Sequence, residues 1–184
     1  MGRRGVRAIV LGEDDDHLRF ARYTLLKLGF HGREVRSLGV PAARGAGDQH
    51  VKKCYAAEVR LHRRRASHQH VVLLVLIDAD TTSVEDRFGQ LASVLSDAQL
   101  PAHEQREAII IWVPKRHIET WIAYLASHGV NETDDFKHVA ASLSRRASAE
   151  CFATLLQDSN QRRTDTPASM TVAFEESLRL PPRV

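Results

Sequence analysis

The stretch HVVLLVLIDADTTS, His70 to Ser83, constrains the fold more than any other part of the chain. Seven consecutive apolar residues, Val71 to Ile77, run directly into Asp78-Ala79-Asp80. A segment that is apolar at every position, rather than at every second one, suits a strand covered on both faces. Such strands belong to parallel sheets sandwiched between helices, because parallel connections place helices over the sheet. Ala108 to Val113, AIIIWV, is a second run of the same kind.

The surrounding segments alternate accordingly. Val6 to Leu11 reads as a short buried strand. Asp16 to Leu28 reads as a helix capped by Asp16, with Leu18, Ala21, Leu25 and Leu28 on one face and Gly29 as its stop. Arg33 to Leu38 suits a second short strand. Residues 39–49, GVPAARGAGDQ, form a loop rich in Gly, Ala and Pro. Two roles stay open for that loop: a flexible link with Asp48 capping the next helix, or a cradle of N–H groups facing a phosphate. Gln49 to Arg65 has helical spacing, with Val51, Tyr55, Val59 and His62 on one face. Val84 to Ala98 is a helix with Phe88, Leu91, Val94 and Leu95 inward. Ile118 to Ser127 is amphipathic, with Ile118, Trp121 and Ile122 inward.

The pattern predicts an α/β three-layer sandwich with a mostly parallel central sheet over residues 5–128. After Gly129 the sequence becomes helical and polar. Residues 129–184 are expected to form a helical extension packed on or beside the first domain. Its parts are a helical stretch to Gln157, the linker DSNQRRTDTPAS, and a last helix in MTVAFEESLRL.

Composition excludes several classes. With 184 residues and 43% apolar content, the chain can bury a real core. It has no apolar run of the length needed to span a bilayer. The apolar run near the N-terminus is short and ends in acids, which argues against a secretory signal. The two cysteines, Cys54 and Cys151, are far apart and form no CxxC, so neither a disulfide framework nor a cysteine zinc site is expected. Two free thiols fit a cytoplasmic protein. The formal charge is only +3, but its distribution is uneven. Arg63, Arg64 and Arg65 form a basic run that can track a nucleic-acid backbone or face a protein partner, and Arg145 and Arg146 form another. Glu13 to Asp16 is acidic.

In parallel α/β sheets, ligands bind beyond the carboxyl ends of the strands. The first strand ends in LGEDDD, placing Glu13 there. The central strand ends in Asp78 and Asp80. The strand AIIIWV ends in PKRHIETW, with Lys115, Arg116 and Glu119. Clustered carboxylates repel unless a proton or a cation lies between them. Oxygen ligands favour Mg²⁺ or Mn²⁺, which can activate water at a phosphate. Lys115 and Arg116 can offset the charge of that phosphate.

A strand ending in Glu, AIVLGEDDD, followed by one ending in Asp-x-Asp, VVLLVLIDADTTS, resembles the Toprim domain of type IA and type II topoisomerases, bacterial primases and OLD-family nucleases. The segments GAGDQHVKKCYAAEV and PKRHIETWIAYL resemble parts of small standalone Toprim proteins related to the OLD nucleases. The resemblance covers roughly residues 5–125. It departs from the usual pattern at Asp14, where Toprim domains usually have Gly. It implies a Mg²⁺-dependent endonuclease acting on DNA, or on RNA. Glu13 would bind metal or serve in acid–base chemistry, and Asp78 and Asp80 would hold the metal. Glu119 would complete a second metal site. Lys115 would assist, Arg116 would lie against the nucleic acid, and either of the two would face the phosphate. The chain has no GxxxxGK[ST] loop, so an ATPase of the OLD kind would be a separate polypeptide. The resemblance further implies a setting in anti-phage defence, and it leaves homo-oligomer formation open. Nothing in the sequence marks Tyr23, Tyr55 or Tyr124 as a nucleophile.

Two other families share fragments of these motifs. VLGEDDDHLRF resembles the opening of a response-regulator receiver, with Asp14 and Asp15 holding Mg²⁺, Asp78 accepting a phosphoryl group and Lys115 at the rim. The spacing to Asp78 is too long for that fold, and Pro114 precedes Lys115 rather than following it. DADTT resembles the nucleophile motif of haloacid-dehalogenase-type phosphatases, with Asp78 attacking and Asp80 as acid–base. That motif normally lies on a first strand.

Overall fold

A computed structural model describes residues 7–39, 47–66 and 69–181 of the protein. Most of the loop expected at residues 39–49, including any phosphate-facing N–H groups before Gly47, lies outside the described residues. So do Gly5 and Val6 of the expected first domain and strand.

The fully apolar runs become neighbouring strands of one parallel sheet. β1 (Ala8–Gly12) and β3 (Val72–Leu76) pair along their whole length, from Ala8 opposite Val72 to Gly12 opposite Leu76. β4 (Ile109–Trp112) pairs with β3 on its far side, and the short β2 (Val35–Ser37) pairs with β1. The order is β2-β1-β3-β4, parallel throughout. Successive side chains alternate between two apolar layers. Val10, Leu74 and Trp112 face one layer; Leu11, Val75 and Ile111 face the other.

Helices cover both faces, as expected. α1 (Asp15–Lys27) and α4 (Ile118–Leu125) lie on the Val10 side. α2 (Gly47–Ala66) and α3 (Val84–Asp97) lie on the Leu11 side. α3 starts with a reciprocal cap: Ser83 Oγ accepts the Asp86 N–H, and the Asp86 carboxylate accepts the Ser83 N–H. Asp14, not Asp16, caps α1, because its carboxylate accepts the His17 N–H at 2.9 Å. Asp16 instead pairs with Arg145 at 2.9 Å.

The segment beyond Gly129 is built into the same core. α5 (Lys137–Ala140) is short; α6 (Arg145–Gln157) lies against α1, and α7 (Ala168–Glu176) against β4. Phe152 of α6 is fully buried, with its ring 5.0 Å from Trp112 and 5.5 Å from Phe20, Trp121 and 5.4 Å from Phe174. Both buried indole N–H groups donate to hydroxyls of this segment: Trp112 to Ser177 and Trp121 to Ser169, each at 2.9 Å. A buried Trp needs such a partner, so the tail satisfies polar groups as well as covering rings. The segment expected as a plain linker contains a 3-10 turn at Ser159–Gln161.

β4 is an outer strand, and its free edge is bracketed by an ion pair. Glu176 accepts the Ile111 N–H at 3.2 Å, and Arg179 donates to the Ile109 carbonyl while pairing with Glu176. Among the described residues no helix is long and apolar enough to cross a membrane.

Near the last turn of α2, His62 is buried and its pKa is pushed down by desolvation. The folded state therefore disfavours its protonation. Above pH 6.5 this costs nothing, since both states are neutral. As pH falls through that value the unfolded chain gains a proton that the folded chain resists, and stability falls. His62→Phe removes this term. Urea midpoints measured at pH 7.5 and 5.5 should show wild type losing ground to the variant at the lower pH; an unchanged difference would contradict the burial effect.

Candidate metal centre

The strand order creates the site. The chain leaves β1 toward one edge of the sheet and leaves β3 toward the other. The crevice between their carboxyl ends is the place where α/β sheets bind ligands. Glu13 directly follows β1, and Asp78 lies just beyond β3. The Glu13 side chain is tied to the next strand, since its Oε1 accepts the Asp78 backbone N–H at 3.2 Å.

A third residue completes the group. His17, in the first turn of α1, is fully buried. Its Nε2 lies 2.9 Å from Asp78 Oδ1, and its Nδ1 lies 2.7 Å from Asp14 Oδ1. Ligand atoms of Glu13, His17 and Asp78 all lie within 4.8 Å of one another. The Asp14–His17 bond matches the usual support of a metal-binding imidazole, in which a carboxylate fixes one ring nitrogen so that the other faces the ion. The donor set thus fits a divalent cation. With a ring nitrogen in it, the set is no longer oxygen-only, which moves its preference from Mg²⁺ toward Mn²⁺ or another transition metal.

The charges are strongly coupled. Burial, then the nearby Asp78, push the Glu13 carboxyl up to about 8, against the opposing influence of His17. Burial opposes charge on His17, but the Asp78 carboxylate and the bond to Asp14 outweigh it and raise the imidazole well above its usual value. Burial also works against ionised Asp14, yet the bonds from His17 hold it well below the usual carboxylate range. Both shifts favour the protonated forms of Glu13 and His17.

Two glycines make room for the group. A Cβ on Gly12 would stand 2.9 Å from the His17 Cβ. A Cβ on Gly47, the first residue of α2, would stand 2.6 Å from the Glu13 carbonyl oxygen and 2.9 Å from its Cβ. Gly47→Val should force α2 and Glu13 apart and weaken Mn²⁺ binding by about tenfold or more, equivalent to roughly 1.4 kcal/mol. Isothermal titration checks this; wild-type affinity in the variant would show that the helix start can give way at no cost.

The other expected site residues are spread around the rim. Asp80 is exposed, left-handed at φ 52°, and outside the three-residue group. Its carboxylate sits on Arg87 at 3.2 Å, with His117 Nε2 at 3.7 Å. Glu119, half-buried in the first turn of α4, is also outside the group. Burial raises its pKa and the Asp78 charge adds to this, so it shares the same field. Lys115 donates to the Thr82 carbonyl and so braces the loop after β3. Arg116 is left-handed at φ 67°, pairs through its backbone with Asp80, and keeps a buried Nε with no hydrogen-bond partner among the described residues.

Arg63, Arg64 and Arg65 are not part of this rim. They end α2, whose first residue touches Glu13, and a helix of that length carries them about 25 Å away. Arg63 is a strut: it bonds both Glu107 oxygens, at 2.7 and 3.0 Å, and the carbonyls of Pro101 and Ala102. Its donors are engaged within the fold. Arg64 is exposed and Arg65 half-buried.

Asp14 is committed to His17, and Asp15 is exposed beside Arg19. In the phosphatase alternative, Asp80 would need to be free for proton transfer, and it is engaged by Arg87 and His117.

Motif spacing did not single out His17 or Arg87 at this rim, and it gave Asp14 and Asp48 other roles. A signal existed for Arg87: it falls between Val84 and Leu91 on the buried stripe of α3, where a charge needs a partner. Comparison with protein-family models, curated proteins and solved structures finds no match to this chain. The class defined by fold and site is therefore an α/β sandwich with a candidate divalent-metal centre at its switch point.

Proposed function

We propose that the protein is a divalent-metal-dependent, Toprim-like nuclease that hydrolyses phosphodiester bonds in DNA, or in RNA. The convergence of Glu13, His17 and Asp78 within 4.8 Å at the carboxyl edge of β1 and β3 carries this reading. A bound ion there would supply Lewis-acid activation of a water and of a phosphate oxygen. The residues of the chain divide the remaining work. Glu13 and Asp78 provide carboxylate ligands, His17 a nitrogen ligand, and Asp14 fixes the His17 ring. Glu119, raised in pKa and close enough to feel Asp78, is suited to holding a proton beside the reacting group. Arg116, with its unpartnered buried Nε, is the cation best suited to a phosphate oxygen.

A partner ATPase encoded separately, and a role in anti-phage defence, belong to this proposal through the resemblance to OLD-type nucleases. Plasmid cleavage with Mg²⁺ or Mn²⁺, with and without such a partner, tests it. Cleavage is expected from the wild type and not from Asp78→Asn. Equal cleavage by both would sink the assignment.

A further inference from the structure

We propose that Arg87 is the resident cation of the second half of this rim, so that the site takes one divalent ion and not two. The inference rests on the metal reading above and specifies its stoichiometry. The guanidinium bridges carboxylates from two different elements. Its Nη2 lies 3.2 Å from Asp80 Oδ2, beyond β3, and its Nη1 lies 3.5 Å from Asp48 Oδ2, at the start of α2. Nη1 also donates to Gln90 at 2.9 Å. The side chain is only 4% exposed, and its Nε is buried with no hydrogen-bond partner among the described residues.

A second ion would need ligands beyond Glu13, His17 and Asp78. Asp80, Asp48 and Glu119 are carboxylates at this rim; Asp14, beside them, is taken up by the His17 ring. Glu119 stands outside the ligand group. Asp80 and Asp48 already have their compensating charge: Arg87 lies between them, Lys52 adds a second contact to Asp48 at 3.0 Å, and His117 approaches Asp80. An ion placed there would face a guanidinium that cannot easily withdraw. Arg87 lies between the buried Val84 and Leu91 on a helix whose start is fixed by its reciprocal cap. Leaving it in place against a divalent cation, or without carboxylates, is strongly unfavourable in a buried setting. The two halves of the Asp-x-Asp pair therefore differ in role: Asp78 is a ligand, and Asp80 is a positioning residue that ties the loop after β3 to α3.

Titration of the full chain with Mn²⁺, following free ion by electron paramagnetic resonance, tests this. The wild type is expected to bind one ion. Asp80→Asn should bind one ion within about threefold of wild-type affinity, and Asp78→Asn at least about a hundredfold more weakly. Arg87→Met should gain a second, weaker ion. Two ions in the wild type, a loss in Asp80→Asn as large as in Asp78→Asn, or a folded Arg87→Met that still binds one would each overturn the inference. If Arg87→Met does not fold, wild-type stoichiometry and the two Asp variants decide. No binding by the wild type would overturn the metal reading itself.

Discussion

Asp78→Asn is expected to lower metal-dependent cleavage by about a thousandfold or more while leaving the protein folded. A bound ion contributes several kcal/mol to stabilising charge in a phosphoryl transition state, and each 1.36 kcal/mol is about tenfold in rate. Asp78 sits at the centre of the group: its N–H holds Glu13 and its carboxylate holds His17. Asparagine keeps the shape and one oxygen for His17, so it removes charge without opening a hole. Alanine would also leave a fully buried imidazole nitrogen unpaired, at a cost of about 1–3 kcal/mol, which would confuse loss of chemistry with loss of fold. The check has three parts: circular dichroism unchanged, Mn²⁺ affinity lost, cleavage lost. A variant that binds and cuts like the wild type would remove Asp78 from the site.

Phe152→Ala should destabilise the protein by about 3–5 kcal/mol, the usual cost of deleting a large buried ring. Four aromatic partners surround this ring, three from the α/β part and one from α7. Its loss should shift the whole urea transition without splitting it, because the helices after Gly129 and the sheet share one core. Two separable transitions would mean that residues 129–184 form a unit of their own.

The strands were legible because full burial leaves a mark on sequence. AIIIWV and VVLLVLI have no polar position, and only a doubly covered strand tolerates that. The helix faces were legible for the same reason. The tail was harder. Helical spacing marked α6 and α7, but nothing local tells that Ser169 and Ser177 each hold a Trp from the sheet layer. Such pairings span 48 and 65 residues. At the site, Glu13 and Asp78 stood out as acids at the ends of apolar runs. His17 did not, since a polar residue in the first turn of a helix after several acids looks like part of a solvated end. Its burial depends on Gly12 and on the approach of Asp78. The intrachain bonds of Arg63 were not legible either: a basic run does not tell that one of its members reaches Glu107 and two carbonyls within the chain.

The ion pair along β4 has a consequence for assembly. An outer strand with free N–H and C=O groups is a template on which another chain can extend the sheet. Here Glu176 and Arg179 stand in for a neighbouring strand, taking the Ile111 N–H and the Ile109 carbonyl with side chains. The far side of the sheet ends in β2, only three residues long. Growth by strand addition is therefore discouraged at both borders of the described sheet. Losing one side chain, Glu176, would turn a closed border into an adhesive one.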